Sequence, residues 1–474
     1  MLLNQAQHYR AIRSHDPRFD GHFFFAVNST GIYCRPVCTA KAPKPENCLF
    51  FPNATAAEAA GFRPCLRCRP ELISGNASIN AVTCLVQRAL SFIEDGFLDD
   101  AYLNELAKEL QITGRHLRRI FQAELGVTPI KFSQTQRLLL AKRLLTDTGL
   151  PITEVAFAAG FHSLRRFNAL FKNHYGLNPT NFRQTITVQK SADSLIFELH
   201  YQPPLDWKLL LEFISARSIP MCEEINNGIY RRIVRIYHGN QWHTGWFSVY
   251  LLPNLCVLQV TLDIKLIRVI LPVIKRIKRL FDLTCHPNAI EEVLGSSFMP
   301  NSGLRVPGAF EGFEIAIQTI LSQQIPIKTV RAIIEQFVTY FGEPQSTPFP
   351  DLTHAFPDPE RLASTSVEEI SSLGITPACS KEIISLAQAI VDKHLVLSPD
   401  ADVSRTLEQL RSLLTIDECS VQYIVMRSLS WPDAFPISDK TLMKTLGVSS
   451  SIEAQECAKT WQPWRSYAAM HFMV

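Results

Sequence analysis

The segments CRPVC (Cys34–Cys38) and CLRC (Cys65–Cys68) decide how the N-terminal part of this chain folds. Each holds two cysteines a few residues apart, and 26 residues join them, enough for a small β-rich knuckle. Zinc favours four such ligands in a tetrahedron, because two short cysteine loops that face each other reach it with little strain. The alternative is a set of buried cysteines without a metal, but two close pairs within 35 residues rarely arise by accident. Cys34, Cys38, Cys65 and Cys68 are therefore predicted to bind one zinc ion.

The residues around the cysteines make this prediction more specific. The segments DGHFFFAVNSTGIYCRPVC, NCLFF and EAAGFRPCLRCRP strongly resemble the N-terminal zinc domain of the Ada alkylation-response proteins. The resemblance implies that Cys34 is both a zinc ligand and the irreversible acceptor of a methyl group from a DNA methylphosphotriester. Zinc keeps a thiol in its nucleophilic thiolate form at neutral pH. Methylation also removes one negative charge from the cluster, which strengthens DNA binding.

Basic side chains lie close to these cysteines in the sequence. Each is predicted to contact a DNA phosphate, and the alternative for any one of them is a solvated basic surface. They are Arg35, Lys41, Arg63, Arg67 and Arg69.

Length and charge indicate the number of domains and the region that contacts DNA. A chain of 474 residues predicts about three or four domains, and 46% hydrophobic residues supply their cores. The net charge of +3 conceals an asymmetry: residues 1–190 carry 23 Lys and Arg against 14 Asp and Glu, a net of +9, and the remainder carries −6. The first part is therefore predicted to make the main electrostatic contact with DNA.

Cysteine usage and hydropathy indicate the cellular compartment of the protein. Eight of the twelve cysteines lie outside the cluster and are widely dispersed, which favours a reducing cytoplasm over a disulfide framework. The apolar stretch over residues 250–280 is interrupted by seven charged residues, so it does not have the pattern of a membrane span. A cytoplasmic protein without a targeting segment is expected.

Residues 81–186 are predicted to be almost entirely helical, because apolar residues recur there at three- and four-residue spacing. The segment LNELAKELQITGRHLRRIFQAEL predicts a helix over Leu103–Leu110, a turn at Gln111–Thr113 and a second helix over Gly114–Glu124. This is the plan of a helix-turn-helix unit.

The segment PITEVAFAAGFHSLRRFNALF repeats the plan, with Pro151 at its start, Gly160 in the turn and a second helix from about Ser163. Glycine in that turn permits the positive φ that sets the angle between the helices. Each unit ends in a Gly-x-x-Pro turn, at Gly126–Pro129 and Gly176–Pro179. The pair closely resembles the DNA-binding domain of AraC-type regulators, and this resemblance implies an all-α domain that binds promoter DNA and activates RNA polymerase.

The second helix of each unit is predicted to enter the major groove. Apolar side chains on these helices are assigned to the core: Leu117, Ile120, Phe121, Phe167, Leu170 and Phe171. Polar ones are assigned to base reading, phosphate contact or mere solvation, alternatives that the sequence leaves open: Arg115, His116, Arg118, Arg119, His162, Ser163, Arg165 and Arg166.

The C-terminal half has a different pattern. LIFELHYQPPLDWKLLLEFISARSI predicts a strand, a Pro-Pro corner and a helix, and IYRRIVRIYHG and WFSVYLLPNLCVLQVTLDI predict further strands before a helix around Ile267–Leu280. From about Pro287 onward the pattern is helical. The segments YQPPLDW, RLFDLTCHP, RVPGAFEGFEIAIQTILSQQI and WQPWRSYAAMH, in this order, resemble the AlkA-type 3-methyladenine DNA glycosylases.

The AlkA resemblance implies a site for excising alkylated bases. Asp439 in DAFPISDKTLMK matches the family's catalytic aspartate, a carboxylate that stabilises the oxocarbenium-like sugar. The base is first flipped out of the duplex, and Phe213 and Tyr423 match the aromatic pocket. The alternatives are core packing for the two aromatics and a helix N-cap, shared with Ser438, for Asp439.

The sequence departs from the family's DNA-binding hairpin. The resemblance to helix-hairpin-helix glycosylases implies a hairpin that usually reads Leu-Pro-Gly-x-Gly. The backbone N–H groups of that hairpin approach a DNA phosphate. This chain has LLTIDEC, with Leu414, Thr415 and Asp417 at the Pro and Gly positions and Cys419 where tryptophan is common. The alternative function is therefore a methyl-sensing transcription regulator whose C-terminal half is catalytically inactive.

The predicted fold is multidomain: a small zinc-binding α/β knuckle, an all-α double helix-turn-helix domain, a TBP-like α+β layer and an all-α helix-hairpin-helix domain. The expected bounds are 1–76, 77–186, a linker at 187–194, 195–288 and 289–474. The sequence contains none of the GxxxxGK[ST], GxGxxG or GxSxG motifs. It also lacks the Pro-Cys-His-Arg segment of the O6-alkylguanine transferase domain of full-length Ada proteins.

Overall fold

The computed structural model describes residues 5–16, 19–70, 84–94, 103–184, 194–295, 303–324, 327–436, 443–444 and 446–473. They divide into two compact units, one within Met1–Gln202 and Val257–Val273 and the other within Pro203–Cys256 and Ile274–Val474. The predicted multidomain fold is confirmed. The residues of the predicted 195–288 layer are shared between the two units, and most of the predicted linker lies outside the described residues.

The knuckle is a four-stranded sheet with strand order β3-β1-β2-β4. Successive side chains of the segment Phe23–Phe25 point to opposite faces of this sheet. Phe23 and Phe25 face the cysteines, whereas Phe24 packs on the opposite side with Tyr33. Its elements are α1 (Gln5–Ser14), β1 (Phe24–Val27), β2 (Ile32–Cys34), β3 (Cys48–Phe51), α2 (Ala54–Ala59) and β4 (Arg63–Pro64).

The helical domain has the two predicted helix-turn-helix units. Thr113 and Ser163 cap the second helix of each unit by accepting a hydrogen bond from a backbone N–H three residues on. Gly160 has φ +81° in the turn of the second unit, as predicted. The helices are α3 (Cys84–Glu94), α4 (Leu103–Glu109), α5 (Gly114–Leu125), α6 (Pro129–Asp147), α7 (Ile152–Ala158), α8 (Leu164–Tyr175) and α9 (Pro179–Gln184).

The predicted strands of the C-terminal half are present. In the first unit β5 (Ser194–His200) pairs antiparallel with β9 (Val257–Asp263), and a 3-10 helix follows at Ile264–Val269. In the second unit three antiparallel strands follow one another: β6 (Glu223–Asn226), β7 (Ile229–His238) and β8 (Gln241–Leu252).

The rest of the second unit is mainly helical, and α13, α14, α17 and α19 contribute to its core. Two short strands that the sequence did not predict, β10 (Glu343–Pro344) and β11 (His354–Ala355), pair with each other. The helices are α10 (Trp207–Ser215), α11 (Ile270–Leu280), α12 (Pro287–Leu294), α13 (Gly312–Gln324), α14 (Ile327–Phe341), α15 (Pro359–Ala363), α16 (Val367–Ser371), α17 (Pro377–Val391), α18 (Val403–Leu413), α19 (Glu418–Ser428), α20 (Ser451–Ala458) and α21 (Arg465–Met473). Within the described ranges, every helix is too short or too polar to cross a membrane.

Candidate metal centre and nucleic-acid interfaces

Strand pairing brings the two cysteine pairs together. Strand β2 ends at Cys34, and β4 runs parallel to it with Tyr33 opposite Pro64, so that Cys65 follows beside Cys34. The four cysteine Sγ atoms all lie within 4.8 Å of one another. The backbone N–H of Arg35 donates to the Cys68 Sγ at 3.3 Å, a contact that stabilises a thiolate.

This donor set fits one zinc ion. Four sulfurs at the usual Zn–S distance of about 2.3 Å in a tetrahedron are about 3.8 Å apart, which the cluster accommodates. Like charges at this distance repel one another, so four thiolates this close together need a cation. The predicted zinc site is confirmed.

The basic residues around the cluster have two different environments. Lys41, Arg63 and Arg67 are exposed, as a phosphate-binding surface requires. Arg35 is buried instead, and its Nε donates to the Asp20 Oδ1 at 3.0 Å. Arg69 donates to the Asp147 Oδ1 at 2.6 Å. Internal carboxylates therefore hold two of the five side chains that the sequence assigned to DNA.

The knuckle packs against the helix-turn-helix domain through α2. Leu139 of α6 lies in one apolar cluster with Tyr33 and Ala57. The Glu58 side chain is fully buried, and its carboxylate accepts from the Tyr33 hydroxyl at 2.9 Å and lies 2.9 Å from the His174 Nε2 on α8. A buried carboxylate needs such partners, so this contact joins the strand of Cys34 to the second helix-turn-helix unit.

The predicted DNA-reading residues lie on the surface of α5 and α8 or just before it. All are exposed except His116, which is half-buried. Leu117, Phe121, Phe167 and Phe171 are buried, as predicted, whereas Ile120 and Leu170 are half-buried. The structure thus presents these candidates to solvent, and their roles in reading bases stay predictions.

Phe213 and Tyr423 are brought together in one apolar cluster of the second unit. Phe213 is only 4% exposed, and the Arg217 Cζ lies 3.9 Å from its ring centroid. Arg427 is also buried, with its Cζ 5.4 Å from the Phe213 centroid and its Nη1 donating to the Tyr423 hydroxyl at 2.6 Å. The two aromatics are therefore held by guanidinium groups. Asp439 and Ser438 lie outside the described residues.

Sequence reasoning missed both of these arginines. Each follows its aromatic partner by four residues, the spacing that places two side chains on one face of a helix. Tyr423 and Arg427 both lie in α19, whereas Arg217 lies just beyond the end of α10. This spacing is the signal that could have found them. Arg427 also donates to the carbonyl oxygens of Pro307 and Gly308. It thereby connects Tyr423 to the loop that precedes α13.

Four family models match the chain, one after another. They are the metal binding domain of Ada at residues 7–71, a helix-turn-helix domain at 106–185, the AlkA N-terminal domain at 196–311 and the HhH-GPD superfamily base excision DNA repair protein at 317–449. This order is the one that the motifs predicted.

A relative covers nearly the whole chain. It is the Mycobacterium tuberculosis (strain CDC 1551 / Oshkosh) protein named "Probable bifunctional transcriptional activator/DNA repair enzyme AlkA", 35% identical over 98% of this chain and 95% of that protein. The chain belongs to this bifunctional AlkA family.

Two further relatives each match one half of this bifunctional AlkA-family chain. DNA-3-methyladenine glycosylase 2 of Escherichia coli (strain K12) is 27% identical over 58% of this chain and 96% of its own length. The bifunctional transcriptional activator/DNA repair enzyme AdaA of Bacillus subtilis (strain 168) is 32% identical over 39% of this chain and 84% of its own. The family thus unites regions that resemble two separate proteins.

Proposed function

We propose that this chain repairs alkylated DNA in two ways and reports the damage to transcription. Its N-terminal half accepts a methyl group from a DNA methylphosphotriester, and its C-terminal half excises alkylated bases such as 3-methyladenine. The observation that carries the first activity is the cluster of four cysteines at the end of β2, flanked by exposed Lys41, Arg63 and Arg67. The family relationship supports the second.

Methyl transfer is a single displacement at carbon. A lone pair on the Cys34 Sγ forms the S–C bond while the methyl C–O bond breaks, and its electrons stay on the phosphate oxygen, which restores an ordinary phosphodiester. Zinc, when bound, keeps the sulfur as a thiolate. Cys34, Cys38, Cys65 and Cys68 would hold the metal, and the exposed basic residues position the phosphate. Each chain acts once, because nothing in the site removes the methyl group from the thioether.

The test of this activity is transfer of labelled methyl from phosphotriester DNA to the protein. The wild type and Cys48→Ala, which removes a buried cysteine of the same knuckle outside the cluster, are expected to take up one methyl per chain. Cys34→Ala is expected to take up none. Equal labelling of all three proteins contradicts the assignment.

Base excision needs a carboxylate and a pocket. We assign the carboxylate to Asp439, which stabilises the oxocarbenium-like sugar as the C1′–N bond breaks and the base leaves with its electrons. Water then forms the C1′–O bond and releases a proton to solvent. Phe213 and Tyr423, held by Arg427, form a wall of the pocket. The test is release of 3-methyladenine from methylated DNA. Asp439→Asn is expected to be inactive, and Asp392→Asn, an exposed control, is expected to be as active as the wild type.

The helix-turn-helix domain links repair to transcription. The match to a helix-turn-helix domain and the activator names of the relatives support promoter binding with RNA polymerase as the target. Methylation of Cys34 makes the cluster less negative and raises affinity for the promoter. A chain that acts on DNA through unoxidised cysteine thiolates belongs in the cytoplasm. Transcription in vitro is expected to rise after methyl transfer by the wild type but not by Cys34→Ala.

A further inference from the structure

The hairpin between α18 and α19 has an unusual environment. It runs over Leu414–Asp417 and lies in the part of the chain that matches the HhH-GPD superfamily, whose hairpin offers backbone N–H groups to a DNA phosphate. Such N–H groups attract any anion that reaches them. In this chain the anions that reach them come from the protein itself.

Glu382 of α17 supplies the first. Its Oε1 accepts the Thr415 backbone N–H at 3.0 Å and also accepts the Thr415 hydroxyl. Glu382 lies 33 residues before Thr415 in the sequence, so the contact is a tertiary one and not part of the local turn. One carboxylate oxygen that accepts two converging donors takes the place of a phosphate oxygen.

Asp417 supplies the second. Its side chain accepts the Ser420 backbone N–H at 2.7 Å, which is ordinary N-capping of α19. The nearby cation is also used: Arg411 makes a two-bond ion pair with Glu418, with distances of 2.6 and 2.9 Å. These contacts engage Thr415 of the hairpin, one N–H in the first turn of α19 and an adjacent guanidinium within the protein.

We propose that Glu382 is an internal substitute for a DNA phosphate, so that this hairpin does not hold DNA and the full chain relies on its basic N-terminal half for affinity. The distribution of charge agrees, since residues 1–190 carry +9 and residues 191–474 carry −6. This inference concerns DNA binding alone and does not depend on whether the C-terminal half excises a base.

Three variants of the full chain test it. Glu382→Ala removes the carboxylate, and Glu382→Gln removes the charge but keeps an oxygen acceptor. Glu408→Ala removes the same charge from an exposed position on α18 and is the control for simple electrostatics. Each is titrated with a duplex that holds a tetrahydrofuran abasic-site analogue, at several salt concentrations. Amide hydrogen exchange of the segment 414–419 is measured with and without this DNA.

In the wild type and in Glu408→Ala, DNA is expected to leave exchange of the hairpin amides unchanged. In Glu382→Ala, DNA is expected to protect them, to bind about tenfold more tightly, which is 1.4 kcal/mol at 25 °C, and to show the salt dependence of about one more phosphate contact. Glu382→Gln is expected to gain less than Glu382→Ala. DNA protection of the wild-type hairpin, or equal behaviour of Glu382→Ala and Glu408→Ala, overturns the proposal.

Discussion

Asp282 is a carboxyl group whose surroundings oppose its charge. Burial raises its pKa to about 6, although Arg305 and a hydrogen bond from the Tyr467 hydroxyl at 2.8 Å act in the opposite direction. Because this pKa is raised above its ordinary value of 3.8, the folded protein binds the proton more tightly than the unfolded chain does. Folding stability therefore falls as the pH rises from about 4 to about 6.

Asp282→Asn is expected to flatten this dependence. Asparagine keeps an oxygen for the Tyr467 hydroxyl and cannot ionise, so the loss of up to about 3 kcal/mol in the free energy of unfolding between pH 4 and pH 6 is expected to shrink. Urea unfolding of the second unit at several pH values measures it. The exposed Asp351→Asn is the control and is expected to leave the slope unchanged. An unchanged slope in Asp282→Asn contradicts the explanation.

At the scale of elements, α2 is the contact between the zinc knuckle and the second helices of the two helix-turn-helix units, α5 and α8. Besides the Glu58–His174 pair, the Asn53 Nδ2 donates to the Leu125 carbonyl at 3.3 Å, and Arg69 reaches Asp147 at the end of α6. The knuckle is thereby fixed to both helix-turn-helix units. Removing one partner of a buried polar contact leaves the other without compensation.

Glu58→Ala is expected to destabilise the first unit by about 1–3 kcal/mol, because it leaves the buried Tyr33 hydroxyl without its acceptor and removes the carboxylate beside His174. Chemical denaturation with zinc bound measures the loss. Glu46→Ala, which removes an exposed carboxylate from the same knuckle, is expected to change stability by less than about 0.5 kcal/mol. Equal stability of the two variants argues against a structural role for the buried pair.

Helix α8 yields a second prediction at this scale. Arg165→Ala is expected to lower affinity for a DNA site selected by the wild-type protein by about tenfold or more, since one bidentate base contact contributes about 1–3 kcal/mol. Binding to unrelated duplex DNA is expected to fall much less. Lys108→Ala, on the exposed side of α4, is the control. An equal loss on both DNAs reassigns Arg165 to phosphate contact.

Local features of the fold could be predicted from the sequence, whereas tertiary contacts could not. Cysteine spacing predicted the zinc cluster, and three- and four-residue periodicity predicted both helix-turn-helix units, because these signals are local. The pairing of Arg35 and Arg69 with carboxylates was not predicted, since their partners Asp20 and Asp147 come near only through tertiary packing. For the same reason the contact between Glu382 and Thr415 could not be predicted from the hairpin sequence.

At the scale of the whole molecule, charge is divided between the two halves. If the N-terminal half provides most of the affinity for DNA, the exposed Lys41, Arg63 and Arg67 set much of its salt dependence. Their joint replacement by Ala is expected to reduce the slope of log affinity against log salt by about 3, because each phosphate contact contributes about 0.9. Joint replacement of Lys208, Lys381 and Lys393 in the C-terminal half is expected to leave the slope nearly unchanged. Equal reductions contradict the division.

The most direct measurement exposes one preparation of methylated duplex DNA to the purified chain and quantifies methyl on the protein and free 3-methyladenine in solution. The wild type is expected to give both products, Cys34→Ala only the free base, and Asp439→Asn only the methylated protein. A wild-type chain that accepts methyl but releases no base contradicts the account of two repair activities and leaves a methyl-sensing regulator with an inactive C-terminal half.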